Sequence, residues 1–368
     1  MNESSPKFYL FGHASWSAML AACSNARESI DIEQFIFADD EIGRQFIEIL
    51  RERSWAGIKV RILCDAVGSW TLYSSPLAAL MQQDRIEIRF VNIVSPWRVN
   101  KFFSWFFRDH RKLLIIDKKI GFTGGVGIRN DMHDWRDTNV EVRGSIVKEM
   151  VVTFNEMWAQ VANRDILSRI SKARGFTRGF RFITNAPYLK KRFLYHSIID
   201  ALRSARTYAY ITTPYFVPDR RLARVLRLAV KRGVDVRILL PGVPENPENT
   251  LNAKSQLIVT YAAHSYYEPM LRAGVKIYEY QKSFLHSKTM VIDDEWSTVG
   301  SFNLDSLSFW YNYEANIVST DQESAQTIKD HFFEDLKQST EVKLETWIKR
   351  PLYQKIREFL VMPLRRFL

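Results

Sequence analysis

The amino-acid sequence predicts a layered α/β protein built from two similar domains. Three observations carry the prediction: an internal repeat, a mixed order of helix and strand patterns within each copy, and a length of 368 residues. That length suits about two domains, and alternating α and β patterns point to helices layered on sheets.

The repeat is clearest where a helical stretch gives way to a strand. Gly57-Ile58-Lys59-Val60-Arg61-Ile62-Leu63 follows one helical stretch and Gly233-Val234-Asp235-Val236-Arg237-Ile238-Leu239 follows another. A glycine there reads as a helix C-cap, and the alternating Val and Ile behind it read as a strand. Upstream, Ala26-Arg27 precedes the strand-like run from Ser29 to Phe37, and Ala205-Arg206 precedes that from Tyr208 to Phe216. Each half therefore reads helix, strand, helix, strand, insertion, strand, strand, helix. The halves are placed at 8–165 and 181–340, with a basic tail over 341–368. The join, from Ser168 to Arg181, has the Arg, Lys, Ser and Gly content of a linker. One insertion runs from Ser69 to about Arg108. The other, Pro241 to His264, opens on Pro241-Gly242-Val243-Pro244 and is expected to be a loop.

Hydrophobic residues make up 46% of the chain and charged residues 25%, which excludes wholesale disorder and a small disulfide-stapled fold. The net charge is +11, which favours a polyanionic partner, and nucleic acid and an anionic membrane surface both remain open. Cys23 and Cys64 belong to no metal-ligand cluster, and two buried thiols suit a reducing cytoplasm. Met1 to Lys7 lacks the pattern of a signal peptide, and no apolar run reaches about 18 residues. The expectation is a cytoplasmic chain that lies on a membrane surface rather than spanning it.

The repeat carries chemistry as well as fold. His110-Arg111-Lys112 is followed by Asp117 and Gly124-Gly125-Val126-Gly127; His286-Ser287-Lys288 is followed by Asp293 and Gly300-Ser301-Phe302-Asn303. On a strand, residues two apart face the same side, so each His shares a face with its Lys. Two His-x-Lys pairs in a chain with only 7 histidines are not needed by any strand pattern. Paired histidines and lysines suit phosphoryl transfer without a metal. One imidazole attacks phosphorus and the other protonates the leaving alcohol. The lysines hold the non-bridging oxygens. Neither half supplies both histidines, so the two are expected to meet at a shared cleft. No organic cofactor is implied.

These residues resemble the doubled motif of the phospholipase D superfamily. His286, Lys288, Asp293, Gly300, Ser301 and Asn303 match throughout, and His110, Lys112, Asp117, Gly124 and Gly125 match in the first copy, where Gly127 stands in place of the usual Asn. Asp40, Gly43, Gly57 to Asp65, Gly68, Thr213-Pro214-Tyr215-Phe216, Pro218, Asn303-Leu304-Asp305 and Asn312-Tyr313-Glu314 extend the similarity to bacterial cardiolipin synthases over about 8–340. The resemblance implies two layered α/β/α domains about a pseudo-twofold axis, with the active site at their interface. It implies His110 as nucleophile and His286 as acid. It also implies an acidic residue downstream of each motif that orients that motif's histidine: Glu314 in the second copy and Asp137 in the first. Gly125, Ser301 and Asn303 support the site. Asp117 and Asp293 complete the catalytic motif but are expected to fix local structure.

Three features lean towards lipid. Phe102, Phe103, Trp105, Phe106 and Phe107 lie between Lys101 and Arg108, just before His110, and suit a membrane interface. Leu352, Ile356, Phe359 and Leu360 recur at helical spacing among Lys349, Arg350, Lys355, Arg357, Arg365 and Arg366. The whole-chain similarity is the third. The expected reaction joins two phosphatidylglycerols into cardiolipin and glycerol, with no metal and with a monomer sufficient. Hydrolysis by a phospholipase D, cleavage of nucleic acid, whose bases also stack on aromatic rings, and a non-catalytic binding scaffold remain as alternatives.

Overall fold

A computed structural model describes residues 5–93, 107–162, 179–186, 191–242, 251–352, 355–356 and 358, with backbone alone at 191 and 251–258. The chain divides into two compact units. The first is Met1–Phe193 with Val299–Ser301 and Tyr311–Val318; the second is Leu194–Thr298 with Phe302–Trp310 and Ser319–Leu368.

The elements run in this order: β1 (Lys7–Phe11), α1 (Gly12–Ser24), β2 (Ser29–Gln34), α2 (Glu41–Trp55), β3 (Lys59–Asp65), α3 (Trp70–Tyr73), α4 (Leu77–Gln83), β4 (Glu87–Val91), β5 (Lys112–Ile116), β6 (Ile120–Gly124), β7 (Arg136–Arg143) and α5 (Ile146–Ala162). Then come β8 (Phe180–Ala186), β9 (Lys191–Arg192), α6 (Phe193–Ser204), β10 (Tyr208–Thr212), α7 (Arg220–Lys231), β11 (Asp235–Pro241), α8 (Leu251–Arg272), β12 (Lys276–Tyr280), β13 (Thr289–Ile292), β14 (Trp296–Gly300), α9 (Ser306–Trp310), β15 (Glu314–Ser319), α10 (Gln322–Leu336), β16 (Ser339–Val342) and α11 (Leu344–Trp347).

Two mixed sheets result. The seven-stranded sheet has the order β1-β7-β6-β5-β2-β3-β4, and the nine-stranded sheet β16-β12-β11-β10-β13-β14-β15-β8-β9. β2, β3 and β4 are parallel, and β2 is antiparallel to the motif strand β5, with Ile30 opposite Ile116. β10, β11 and β12 repeat this, with Ala209 opposite Ile292 across β10 and β13.

Strand alternation explains why β5 is apolar from Leu113 to Ile116. Leu114 and Ile116 enter one core with α1 and α2, through Met19, Phe46 and Leu50. Leu113 and Ile115 enter another on the opposite face with α5, through Val147, Met150 and Phe154. A strand covered on both faces loses the polar half of its pattern. α7 shows the helical counterpart: Leu222, Val225, Leu226 and Ala229 are buried on one stripe.

The glycine caps form as the sequence predicts. Gly57 and Gly233 have φ of 87° and 91°, and each closes its helix while the next residue bonds back five positions, Ile58 to Arg53 and Val234 to Ala229.

Three expectations need correction. The expected loop from Pro241 to His264 is helical from Leu251 onward, as part of α8, whose apolar residues do not fall on one stripe and so give no helical period. The insertion after Ser69 carries α3, α4 and β4. A third strand, β7 or β15, follows each motif hairpin, and a further strand, β1, opens the chain. No helix among the described residues is long and apolar enough to cross a membrane.

Candidate active site

His110 lies just ahead of β5 and is buried, 8% exposed. Its backbone is set by the residue just ahead of β15: His110 N–H donates to Tyr313 O at 3.0 Å and Tyr313 N–H donates to Arg108 O at 2.8 Å. This ladder seats Glu314 beside the ring. His110 Nδ1 is 3.1 Å from both Glu314 carboxylate oxygens. Glu314 is fully buried and also accepts from the Ser301 hydroxyl. Burial works against its charge, but His110, Lys112 and Ser301 hold the carboxyl below its ordinary pKa. All these residues belong to the first unit.

Lys112 is on the same strand face and donates from Nζ to His110 O at 2.7 Å. Burial pushes its pKa down to about 8, against the opposing pull of Glu314, Asp137, Asp109 and Asp65. The Phe35 ring packs edge-on to His110, 4.8 Å between centroids. A phosphodiester placed here would meet an oriented imidazole and a poorly hydrated ammonium.

The expected pairing of acids differs on one point. Glu314 follows the second motif, yet it bonds the first-motif histidine rather than its own. The cause is the bridge between Asp109 and Tyr313, which aligns the approach to β5 with the start of β15. Asp137, expected to serve His110, is buried behind Gly125. Its Oδ1 accepts from Thr138 N–H at 2.7 Å, and its charge favours the Lys112 cation. A Cβ on Gly125 would stand 2.1 Å from that oxygen. In the second copy the larger Ser301 faces the longer Glu314, contacting it through its hydroxyl.

In the second unit His286 is 6% exposed, between the rings of Tyr215 at 6.4 Å and Phe284 at 6.0 Å. Lys288 Nζ donates to His286 O, as Lys112 does to His110 O. Asn303 is 3% exposed, and its Oδ1 has no protein partner among the described residues. Gly127, at the matching position of the first copy, has no such amide; its carbonyl accepts the Trp16 indole N–H at 2.9 Å.

Asp117 and Asp293 face away from this chemistry. Asp117 accepts backbone N–H from Arg27, Glu28 and Ser29, and Asp293 from Arg206, Thr207 and Tyr208. Each opens a tight hairpin turn, with φ of 52° and 53°. Burial opposes both charges, and these donors still hold both carboxyls below the ordinary range.

The sequence reading missed the groups that hold His110 from behind. Asp65 accepts from Asp109 N–H at 3.0 Å, and Arg111 bonds Asp109 at 2.9 Å and lies over the Tyr313 ring at 5.5 Å. An Asp beside the motif histidine was the available signal. Of the aromatic patch, Phe102, Phe103, Trp105 and Phe106 lie outside the described residues. Phe107 is half-buried, 6.1 Å from Tyr311. In the tail, Leu352 and Ile356 are exposed, Arg350 pairs with Glu358, and the rest of the expected apolar stripe lies outside the described residues.

Fold and site together define a phosphodiester-transferring enzyme made of two α/β repeats. The chain belongs to the cardiolipin synthase family with PLD-like domains: the family model described as "Cardiolipin synthase, PLD-like domain" matches residues 19–158 and 198–336. It is 33% identical over 359 residues to the cardiolipin synthase of Geobacillus sp. (strain WCH70), covering 94% of this chain and 69% of that protein. It is 32% identical to cardiolipin synthase 2 of Bacillus anthracis, covering 94% and 67%. Among solved structures, the phosphatidylserine synthase of Haemophilus influenzae Rd KW20 shares the fold, with a TM-score of 0.77 at 13% identity over 99% of this chain and 95% of that one. The polyphosphate kinase of Porphyromonas gingivalis follows, with a TM-score of 0.63 at 15% identity over 92% and 49%. The duplicated α/β architecture and the family expected from the motif are both observed.

Proposed function

We propose that this enzyme is a phosphatidyltransferase that makes cardiolipin from two phosphatidylglycerols. The observation that carries the reading is His110 held through Nδ1 by a buried glutamate with Lys112 beside it, in a chain that repeats the His-x-Lys pair at His286 and Lys288.

In this mechanism His110 Nε2 attacks the phosphorus of one phosphatidylglycerol. The phosphorus–oxygen bond to the glycerol headgroup breaks, and His286 gives its proton to the departing oxygen. The hydroxyl of a second phosphatidylglycerol then loses its proton to His286 and attacks the phosphatidyl-histidine. The phosphorus–nitrogen bond breaks, cardiolipin leaves, and both histidines regain their starting states. Lys112 and Lys288 hold the non-bridging oxygens, with Ser301 and Asn303 assisting. Asp117 and Asp293 act by anchoring the hairpins that present each pair. The halves 8–165 and 181–340 each contribute one pair.

The enzyme works as a peripheral protein on the cytoplasmic side of the membrane, drawing substrate from an anionic bilayer. The net charge of +11, the 101–108 stretch and the exposed Leu352 and Ile356 in the basic tail support this.

The test is incubation of purified protein with phosphatidylglycerol vesicles, followed by mass analysis of the lipids. Cardiolipin and glycerol in equal amounts are expected, with a phosphohistidine trapped on His110. Phosphatidic acid as the main product would make the enzyme a hydrolase. Undiminished cardiolipin formation by His110→Ala would overturn the mechanism.

A further inference from the structure

We propose that His13, His133 and Asp134 form a binding site for a late first-row divalent ion of the zinc type, separate from the phosphodiester chemistry. Among the described residues this is the one group of three His, Cys, Asp or Glu side chains with ligand atoms within 4.8 Å of one another. His133 Nδ1 is 2.7 Å from Asp134 Oδ1, and His13 Nδ1 is 3.9 Å from the same oxygen. The two imidazole rings are 4.9 Å apart.

The backbone beneath the cluster is tightly built. Gly12 approaches the 130–133 turn so closely that a Cβ would lie 2.1 Å from Met132 O. His13 N–H donates to His133 O at 3.1 Å. One turn further along α1, the buried Trp16 donates its indole N–H to Gly127 O and lies 6.2 Å from the His133 ring. The two histidines are therefore held side by side by main chain, while their side chains are 47% and 57% exposed and that of Asp134 is 82% exposed.

Two imidazoles and a carboxylate suit Zn²⁺, and they also suit Ni²⁺ and Cu²⁺. Bonds of about 2.0–2.1 Å at tetrahedral angles put ligand atoms roughly 3.3 Å apart. Closing from the present spacing takes rotation of exposed side chains and loss of the 3.0 Å contact between His13 Nδ1 and His133 O. Water completes the coordination. The bound ion cross-links the first turn of α1 to the segment that runs from Gly127 to β7, the strand that carries Asp137.

The experiment is calorimetric titration of Zn²⁺ into chelator-treated, tag-free protein near pH 7.5. One equivalent is expected to bind. His13→Ala and His133→Ala should each weaken binding at least tenfold. His196→Ala, at an exposed histidine elsewhere, should leave binding unchanged. Zinc should also raise the melting temperature of the unaltered protein and not that of the His13→Ala/His133→Ala double variant. Absence of one-equivalent uptake, or equal uptake by the double variant, overturns the proposal.

Discussion

His110 Nδ1 lies 3.1 Å from both carboxylate oxygens of Glu314, a residue 204 positions further along the chain. The His110 imidazole is therefore oriented by an acid that follows the other motif. Glu314→Gln should keep the packing but lose the charge that stabilises the imidazolium. A fall in kcat of roughly 10²- to 10⁴-fold is expected, with KM little changed. A fall below tenfold would show that the pair does not set the tautomer.

The same pair predicts an acid limb in stability. Glu314 has its carboxyl held below the ordinary value of 4.5. Its contribution is present above that value and is lost as pH falls through the lowered one. Glu314→Gln should flatten this limb, read as melting temperature between about pH 6 and pH 3.

Lys112 predicts an alkaline limb in activity. Burial lowers its pKa to about 8, so it is charged below that pH and loses the charge above; in the proposed mechanism that charge holds the phosphate. kcat/KM should decline about tenfold per pH unit once the ammonium titrates. Lys112→Arg stays charged at high pH, so its profile should lose this fall even if its maximum is lower. A flat wild-type profile to pH 10 would exclude Lys112 as the titrating clamp.

Asp117 and Asp293 should behave as anchors. Asp293→Asn keeps a residue that tolerates positive φ but weakens three backbone contacts and one to Thr207. A loss of about 1–3 kcal/mol is expected, seen in denaturant midpoint, with kcat at the permissive temperature within a few-fold of wild type. A collapse of kcat in a fully folded variant would place Asp293 in the chemistry.

Gly125→Ala tests the space behind Asp137. The new Cβ would stand 2.1 Å from a carboxylate oxygen that the Thr138 N–H holds in place. Destabilisation of about 1–3 kcal/mol is expected. A melting temperature equal to wild type would mean that Asp137 moves without penalty.

Much of this protein was legible as sequence because its signals are local. The glycine caps at Gly57 and Gly233 announce themselves through helix-ending geometry. The runs after Lys112 and Lys288 announce themselves as strands buried on both faces. α8 was not legible, because a helix without a single apolar stripe has no period to read and the turn residues at Pro241 to Pro244 dominate the pattern. β7 and β15 were also missed, although they carry Asp137 and Glu314, because mixed polar and apolar residues, buried in both strands apart from Arg143, break the alternation.

The sequence by itself determined the duplication, the two His-x-Lys pairs, the aspartates that open the motif hairpins, and the family. Each depends on residues a few positions apart or on a fixed offset along the chain. Only the tertiary structure decided which acid holds which histidine, what Gly125 makes room for, and how burial weakens the charge of Lys112. Those properties arise from contacts between segments far apart in sequence, and from the water those contacts exclude. Spacing along the chain does not record them.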